Sequence, residues 1–451
     1  MTALLRRIIN VKPEEVRALL WSCAYFFCIL AAYYIIRPIR DEAGVAGGIR
    51  NLPWLFTGTM IAMLVVNPPF AALVARLPRE RFIRIAYRLF QASLVLFFAL
   101  FTFLPDEQRV WIGRSFYIWT SVFNLFVVSV FWGFMADAFD SDQGKRLFGF
   151  IGVGGTLGGI VGSAITATLV QSVGSAGLLL VSAVLLEAAV QSVRQLSGLF
   201  ARRSVGDTRP QRGEQVIGGG IWDGVTHVLR SPYLLGICGY MLLYTIGSTF
   251  LYFQQADIVK NARTDPEAQT ALFAQIDLAV NVLTVLVQAF LTGRIMKGLG
   301  VAGTLAIVPA ISIAGFLGLG FAPSIAMLVA FLVLRRAGNF AVARPSREVL
   351  YTVVSREDKY KAKTFIDTFV YRFGDQVGAW ANPLLGALGL SMAGIALVAA
   401  PISALWLGVG YWLGRRQAGM AARMEADGER SGDFGRGEAP LAGSSVARGA
   451  V

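Results

Sequence analysis

The sequence predicts an all-α membrane protein, with twelve transmembrane helices in two pseudo-symmetric six-helix bundles. Three observations carry this expectation: composition, the spacing of apolar runs and the placement of basic residues. Of 451 residues, 55% are hydrophobic and 15% charged, where a soluble domain carries roughly a quarter charged. Most of the chain therefore meets lipid or other apolar helices. A helix needs about 20 apolar residues to cross the hydrocarbon, and runs of about that length follow one another along the chain.

The first run ends in Arg37-Pro38-Ile39-Arg40. It is too long for a cleavable signal peptide and lacks a small-residue cleavage site, so it is expected to span the membrane over 16–38. The next helices are expected over 52–75, 85–104, 111–137, 147–170 and 175–197. After a polar stretch come 232–256, 270–292, 301–320, 322–343, 364–388 and 391–414. From about 418 the chain is rich in Gly, Ala, Ser, Arg and Glu, too poor in apolar residues to fold. The expected organisation is an N-terminal bundle (1–197), a cytoplasmic connector (198–231), a C-terminal bundle (232–416) and a disordered cytoplasmic tail (417–451).

The net charge is +13. Because the basic residues sit between apolar runs, the excess reads as topology and headgroup contact, not nucleic-acid binding. Alternate loops hold Arg6, Arg7 and Lys12; Arg76, Arg79, Arg81 and Arg84; Lys145 and Arg146; and the arginines of the connector. Later come Arg294 and Lys297, then the set from Arg344 to Lys363, then Arg415 and Arg416. The intervening loops hold far fewer. This bias predicts cytoplasmic termini and a bacterial inner-membrane location.

The two halves repeat. Asp142-Gln143-Gly144-Lys145-Arg146 precedes the fifth helix, and Asp358-Lys359-Tyr360-Lys361-Ala362-Lys363 precedes the eleventh, 216 residues later. Arg76 and Arg294, after the second and eighth helices, are 218 apart. Six helices, a basic connector and six more helices is the layout of the major facilitator superfamily, whose repeated halves enclose a substrate near the midplane.

Charges inside apolar helices are costly and usually face a cavity. In the tenth helix only twelve residues, Pro323 to Leu334, precede Arg335-Arg336. The pair lies in the hydrocarbon as an anion site or snorkels to the cytoplasmic face. Neighbours point about 100° apart, so one of the two is expected to face the cavity. In the eleventh helix Asp367, Tyr371 and Asp375 are expected on one face, with Arg372 near Asp375 as an ion pair or a coupling element. Arg37, Arg40, Asp41 and Glu42 follow the first helix and read as substrate groups or boundary charges. Asp137, Asp140, Asp142, Lys145 and Arg146 form a corner cluster, a latch or a cytoplasmic gate. Arg81, Arg84, Arg88 and Gln91 share a face of the third helix, where snorkelling is expected. Glycines at four-residue spacing in the fifth helix (Gly154, Gly158, Gly162) predict close backbone packing.

Metal and nucleotide-hydrolysis chemistry find no footing. There is one histidine, His227, and three cysteines sit in apolar runs. No phosphate-binding loop, nucleophile elbow or zinc motif occurs, so an enzyme is not expected and neither is a cofactor.

Several patches resemble the ATP/ADP translocase family and its bacterial relatives: Tyr33 to Glu42, Phe131 to Asp137, Lys145-Arg146-x-Phe148, Leu229 to Leu234, Arg347-Glu348-x-x-Tyr351, and Lys361 to Asp367 followed by Arg372-Phe373-Gly374. The resemblance implies a twelve-helix facilitator-like fold and exchange of phosphorylated nucleotides or related anions. It also implies substrate roles for Arg40-Asp41 and for Lys361 and Lys363. Arg40 stands where the nucleotide exchangers commonly have lysine.

The resulting expectation is a rocker-switch secondary transporter, antiporter or symporter, for a small anionic solute that is phosphorylated or nucleotide-like. Substrate would meet Arg37, Arg40, Asp41, Arg335, Arg336, Lys361, Lys363, Tyr371 and Arg372. Coupling or gating would fall to Asp137, Asp142, Lys145, Arg146, Asp367 and Asp375. The bilayer is the expected partner, with no nucleic acid, and the chain is expected to act as a monomer. The rivals are a facilitator-type exporter of drugs or cations and a non-transporting membrane scaffold.

Overall fold

In the computed structural model the described residues are 11–76, 79–204, 228–229, 231–354, 362–363 and 365–434. Among them the regular structure is helical, with no strand. The first helices are α1 (Val16–Ala46), α2 (Leu52–Arg76), α3 (Arg79–Phe103) and α4 (Asp106–Ala138). A helical stretch Ser141–Ser204 breaks at Gly174, whose φ of 74° suits glycine. Its limbs are α5 (141–173) and α6 (175–204). Then come α7 (Pro232–Ala262), α8 (Pro266–Phe290) and α9 (Thr292–Phe321), the last broken at Gly300 with φ 63°, just before the expected start at 301. α10 runs Ile325–Val353 through a π turn at Asn339–Ala343. α11 (Tyr371–Ala387) follows another π turn at Ile366–Val370, and α12 is Met392–Phe434. Among the described residues ten helices are long and apolar enough to cross a membrane, so the chain is a multi-pass membrane protein.

Local chemistry starts several helices. Ser231, Asp265 and Ser324 accept the amides of Leu234, Ala268 and Met327, at 3.4, 2.8 and 3.3 Å, each satisfying an orphan donor. Pro232 and Pro266 occupy first-turn positions where no amide is needed.

Several helices run a few residues past their expected bounds, and two of the differences are large. α1 does not stop at 38 but continues to Ala46 through Pro38, because lipid-embedded helices re-satisfy the carbonyl a proline frees. Arg40 and Asp41 are thereby helical and not loop residues. Residues 417–434 also prolong α12 where a loose tail was expected. That segment is rich in Ala, Met, Arg and Glu, good helix formers that extend an existing nucleus cheaply. Gln417 is buried, and Met420 and Ala421 pack on the core.

α1 lies against α5. A Cβ at Gly154, Gly158 or Gly162 would collide with the backbone carbonyl oxygens of Cys23, Phe27 and Ala31 respectively. The four-residue glycine spacing thus sets the distance between the two helices. One core is built from residues 11–196, with Ala271 the single contributor from beyond, and it includes Tyr25, whose hydroxyl meets that of Tyr87 at 2.7 Å. A second core draws only on residues 228–413. The third joins the halves: Val45, Leu52, Leu55 and Tyr117 pack with residues between Phe250 and Ala400. Trp54 of α2 meets Trp380 of α11 edge-on, and Thr57 bonds both Gln376 and Trp380, at 2.9 and 3.1 Å. The halves are therefore seamed where α1 ends and α2 begins.

Candidate functional site

Between the halves lies a cavity of about 320 Å³, at the low end of the range usual for small-molecule sites. Its walls come from α1, α2, α4, α7, α10 and α11. Five guanidinium groups line it, those of Arg37, Arg40, Arg335, Arg336 and Arg372, against the carboxylates of Asp41 and Asp375. Tyr117, Tyr244, Tyr252, Tyr371, Phe56 and Phe340 supply aromatic faces.

Arg335 is 3% exposed. Its Nε donates to Ser312 Oγ at 3.0 Å, its Nη1 to Ser248 Oγ at 2.9 Å and its Nη2 to the Tyr244 carbonyl at 3.2 Å. The rings of Tyr244 and Trp406 stand 5.3 and 5.7 Å from its Cζ. All these partners are neutral. The arginine does not snorkel; the protein holds its charge inside with hydroxyls, a carbonyl and π faces.

Arg336 behaves differently. Its Nη2 is 2.8 Å from Asp277 of α8, and Arg37 of α1 reaches the same carboxylate oxygen at 3.1 Å. One buried aspartate thus carries two arginines from opposite halves. Both tenth-helix arginines line the cavity, which corrects the expectation that only one would. A 100° separation still falls within a concave wall when the side chains are as long as arginine's.

Arg40 pairs with Asp41 at 2.6 Å and lies over the Tyr117 ring. Tyr252 donates to the same Asp41 oxygen at 3.2 Å, linking α7 to α1. In α11, Arg372 meets Asp375 at 3.4 Å, and Thr249 donates to Asp375 at 3.4 Å. Tyr371 faces the cavity with them.

Other expected residues lie elsewhere. Asp367 is not on the cavity face with Tyr371 and Asp375; it is an exposed partner of Arg347 at 3.8 Å. The π turn at Ile366–Val370 inserts a residue and breaks the four-residue alignment a regular α-helix would keep. Lys363 pairs with Glu348 at 2.5 Å and sits over Tyr351, away from the cavity lining. Lys361 and the side chains of Asp142 and Lys145 lie outside the described residues. Asp137 is exposed near the end of α4. Arg146 closes on Glu15, just before α1, at 3.0 Å, and Gln143 donates to Glu15 at 3.0 Å. Burial works to raise the Glu15 pKa, but donors from Arg146, the Lys12 amide and Gln143 hold it down to about 2.

Asp277 and Glu15 are two partners that the expected set of site residues does not include. Asp277 was detectable, as a lone carboxylate in the apolar run 270–292 and so subject to the same rule that singled out Arg335. Ser248, Ser312 and Tyr244 carry no such mark, because only the crossing of α7, α9 and α10 brings them to Arg335. Among the described residues no group of His, Cys, Asp and Glu could hold a metal.

No protein-family model matches the chain. It is similar to the ADP,ATP carrier protein 1 of Chlamydia trachomatis, 20% identical over 88% of each chain. The fold is similar to that of the POT family transporter PepTSo, with a TM-score of 0.60 at 15% identity, covering 89% of this chain and 98% of that one. It is also similar to a mutant of the nucleoside transporter NupG, with a TM-score of 0.52 at 12% identity, covering 90% and 99%. The fold is therefore one shared with solved membrane transporters, and these relatives and neighbours are transporters, not enzymes.

Proposed function

We propose that the chain is a secondary transporter that binds a phosphate-bearing, nucleotide-like anion in the central cavity and moves it by rocking two six-helix bundles about it. The observation that carries this reading is Arg335, a buried guanidinium with only neutral partners. An anion supplies the counter-charge that the protein withholds, with the planar fork suited to phosphate. The tyrosines beside it offer π faces of the kind on which bases stack, and the name of the Chlamydia relatives, ADP,ATP carriers, agrees with that pairing of base and phosphate. Asp277 holds Arg37 and Arg336 until the anion competes for them, which favours exchange over uncoupled leak. An exporter of amphipathic cations would want an acidic cavity, and this one has arginine in excess.

The bundles are 1–197 and 232–416. Counting the stretch broken at Gly174 as two crossings and the seventeen-residue α11 as a short one supports a reading of twelve crossings from the ten long spans. An even count puts both termini on one side, which the loop charges make the cytoplasmic one; the membrane is the bacterial inner membrane, and the seam of Trp54, Thr57, Gln376 and Trp380 closes the periplasmic side. The protein works as a monomer. Proteoliposomes loaded with ADP should take up external labelled ATP, and unloaded vesicles should take up far less. Equal uptake of a cationic dye and none of any nucleotide or sugar phosphate would reject the anion reading. Reporter fusions after residues 210 and 420 should both read cytoplasmic, and a periplasmic signal at either would reject the topology.

A further inference from the structure

Arginine also gathers outside the central cavity. An open cleft of about 710 Å³ is lined by Arg81, Arg84, Ile85, Arg88, Leu89 and Arg194. The three α3 arginines follow three- and four-residue steps and so share a helical face. From Arg81 to Arg88 they climb about 10 Å, at 1.5 Å per residue. α6 runs antiparallel beside them. Arg88 of α3 pairs with Glu187 of α6 at 3.0 Å, and Gln91 donates to Glu187 at 3.1 Å. Gln191 also donates to Glu187, at 2.6 Å. That carboxylate is therefore fully engaged at the inner end of the cleft. Among the described residues the lining is four guanidinium groups and two aliphatic side chains; Glu187 takes one face of Arg88, and Arg194 donates to Gln191 at 3.2 Å.

The aliphatic pair indicates what enters. Ile85 is 45% and Leu89 65% exposed, in the first turns of the span expected to begin at 85, where headgroup gives way to acyl chain. A free anion has no use for them. A lipid does: phosphate at the arginines, chains along Ile85 and Leu89. Guanidinium forks match phosphate oxygens in pairs, and basic pockets between helices at a membrane face take anionic headgroups.

We propose that the α3–α6 cleft is a binding site for the phosphodiester headgroup of an anionic phospholipid in the leaflet that surrounds the start of α3. The site joins two helices of the first half, and among the described residues it shares no lining with the central cavity. It stands whatever solute the cavity carries.

The full chain in neutral detergent, with phosphatidylglycerol, phosphatidylcholine or inorganic phosphate added, tests this by thermal shift and by native mass spectrometry of retained lipid. Phosphatidylglycerol should raise the melting temperature and remain bound as one tight adduct, and phosphatidylcholine should do neither. Arg81→Gln/Arg194→Gln should lose the adduct and the shift. Arg81→Lys/Arg194→Lys should keep part of both, since charge survives and the fork does not. If the glutamine variant is too unstable to purify, the wild-type comparison of lipids and the lysine variant still decide the matter. Equal stabilisation by inorganic phosphate would overturn the lipid assignment. An adduct undiminished in the glutamine variant, or one formed equally by phosphatidylcholine, would overturn the site.

Discussion

Replacing Arg335 with glutamine separates ligand binding from stability, because the two should respond in opposite ways. In the free protein the side chain donates one hydrogen bond from each nitrogen to neutral partners. Ser312 keeps a bond of its own to the Val308 carbonyl at 2.8 Å, and the Tyr244 carbonyl lies within the continuous helix α7. Only Ser248 loses a partner. A buried charge costs several kcal/mol in desolvation, so its removal offsets the lost bonds, and the melting temperature should stay level or rise. Binding should respond strongly. Truncating one side of a buried charge-assisted pair costs about 2–5 kcal/mol, and each 1.4 kcal/mol is roughly tenfold in Kd. Affinity for ATP should therefore fall about 30-fold at the least and over a thousandfold at the most. Lysine should recover part of it. Isothermal titration with ATP and differential scanning fluorimetry on wild type, Arg335→Gln and Arg335→Lys read both quantities. Wild-type affinity in the glutamine variant would refute the reasoning. So would a collapse in stability, since Arg335 would then be a structural anchor.

Asp277→Asn should lower the melting temperature, because it leaves half-buried Arg37 and Arg336 side by side without the carboxylate they share. Added ATP should restore more stability than it gives wild type, and an unchanged melting curve would count against the shared-carboxylate clamp. Glu15 has a folded pKa depressed to about 2 from 4.5, so its contribution is complete above about pH 4.5 and fades as pH falls towards 2. The stability gap between wild type and Glu15→Gln should close over that window and hold constant at neutral pH. Gly158→Ala should destabilise by driving a Cβ into the Phe27 carbonyl, while Gly152→Ala, with open space around it, should be harmless. Size-exclusion profiles of the two variants would distinguish them, and equal behaviour would remove the glycine-packing account.

Apolar runs and loop charges determined by themselves that this is a membrane protein and roughly where its helices lie, and they marked the tenth-helix arginines while leaving open whether the pair is buried or snorkels. Those are one-dimensional properties: the cost of polar groups in hydrocarbon acts on each segment separately. The four-residue glycine steps of α5 were legible for the same reason, since helical period alone puts them on one face. Tertiary structure decided the rest. Both Arg335 and Arg336 reach one cavity because α7 and α9 hold the first and the carboxylate of α8 holds the second. Asp277 became the partner of Arg37 through an inter-helix register that neither segment encodes alone. Arg40 and Asp41 joined the site because α1 continues through Pro38. Asp367 left it because a π turn cancels the regular helical period, and Lys363 left it because Glu348 lies within reach. Periodicity predicts neighbours within a straight helix, whereas counter-ions and cavity walls come from other helices, and only packing sets which atoms meet.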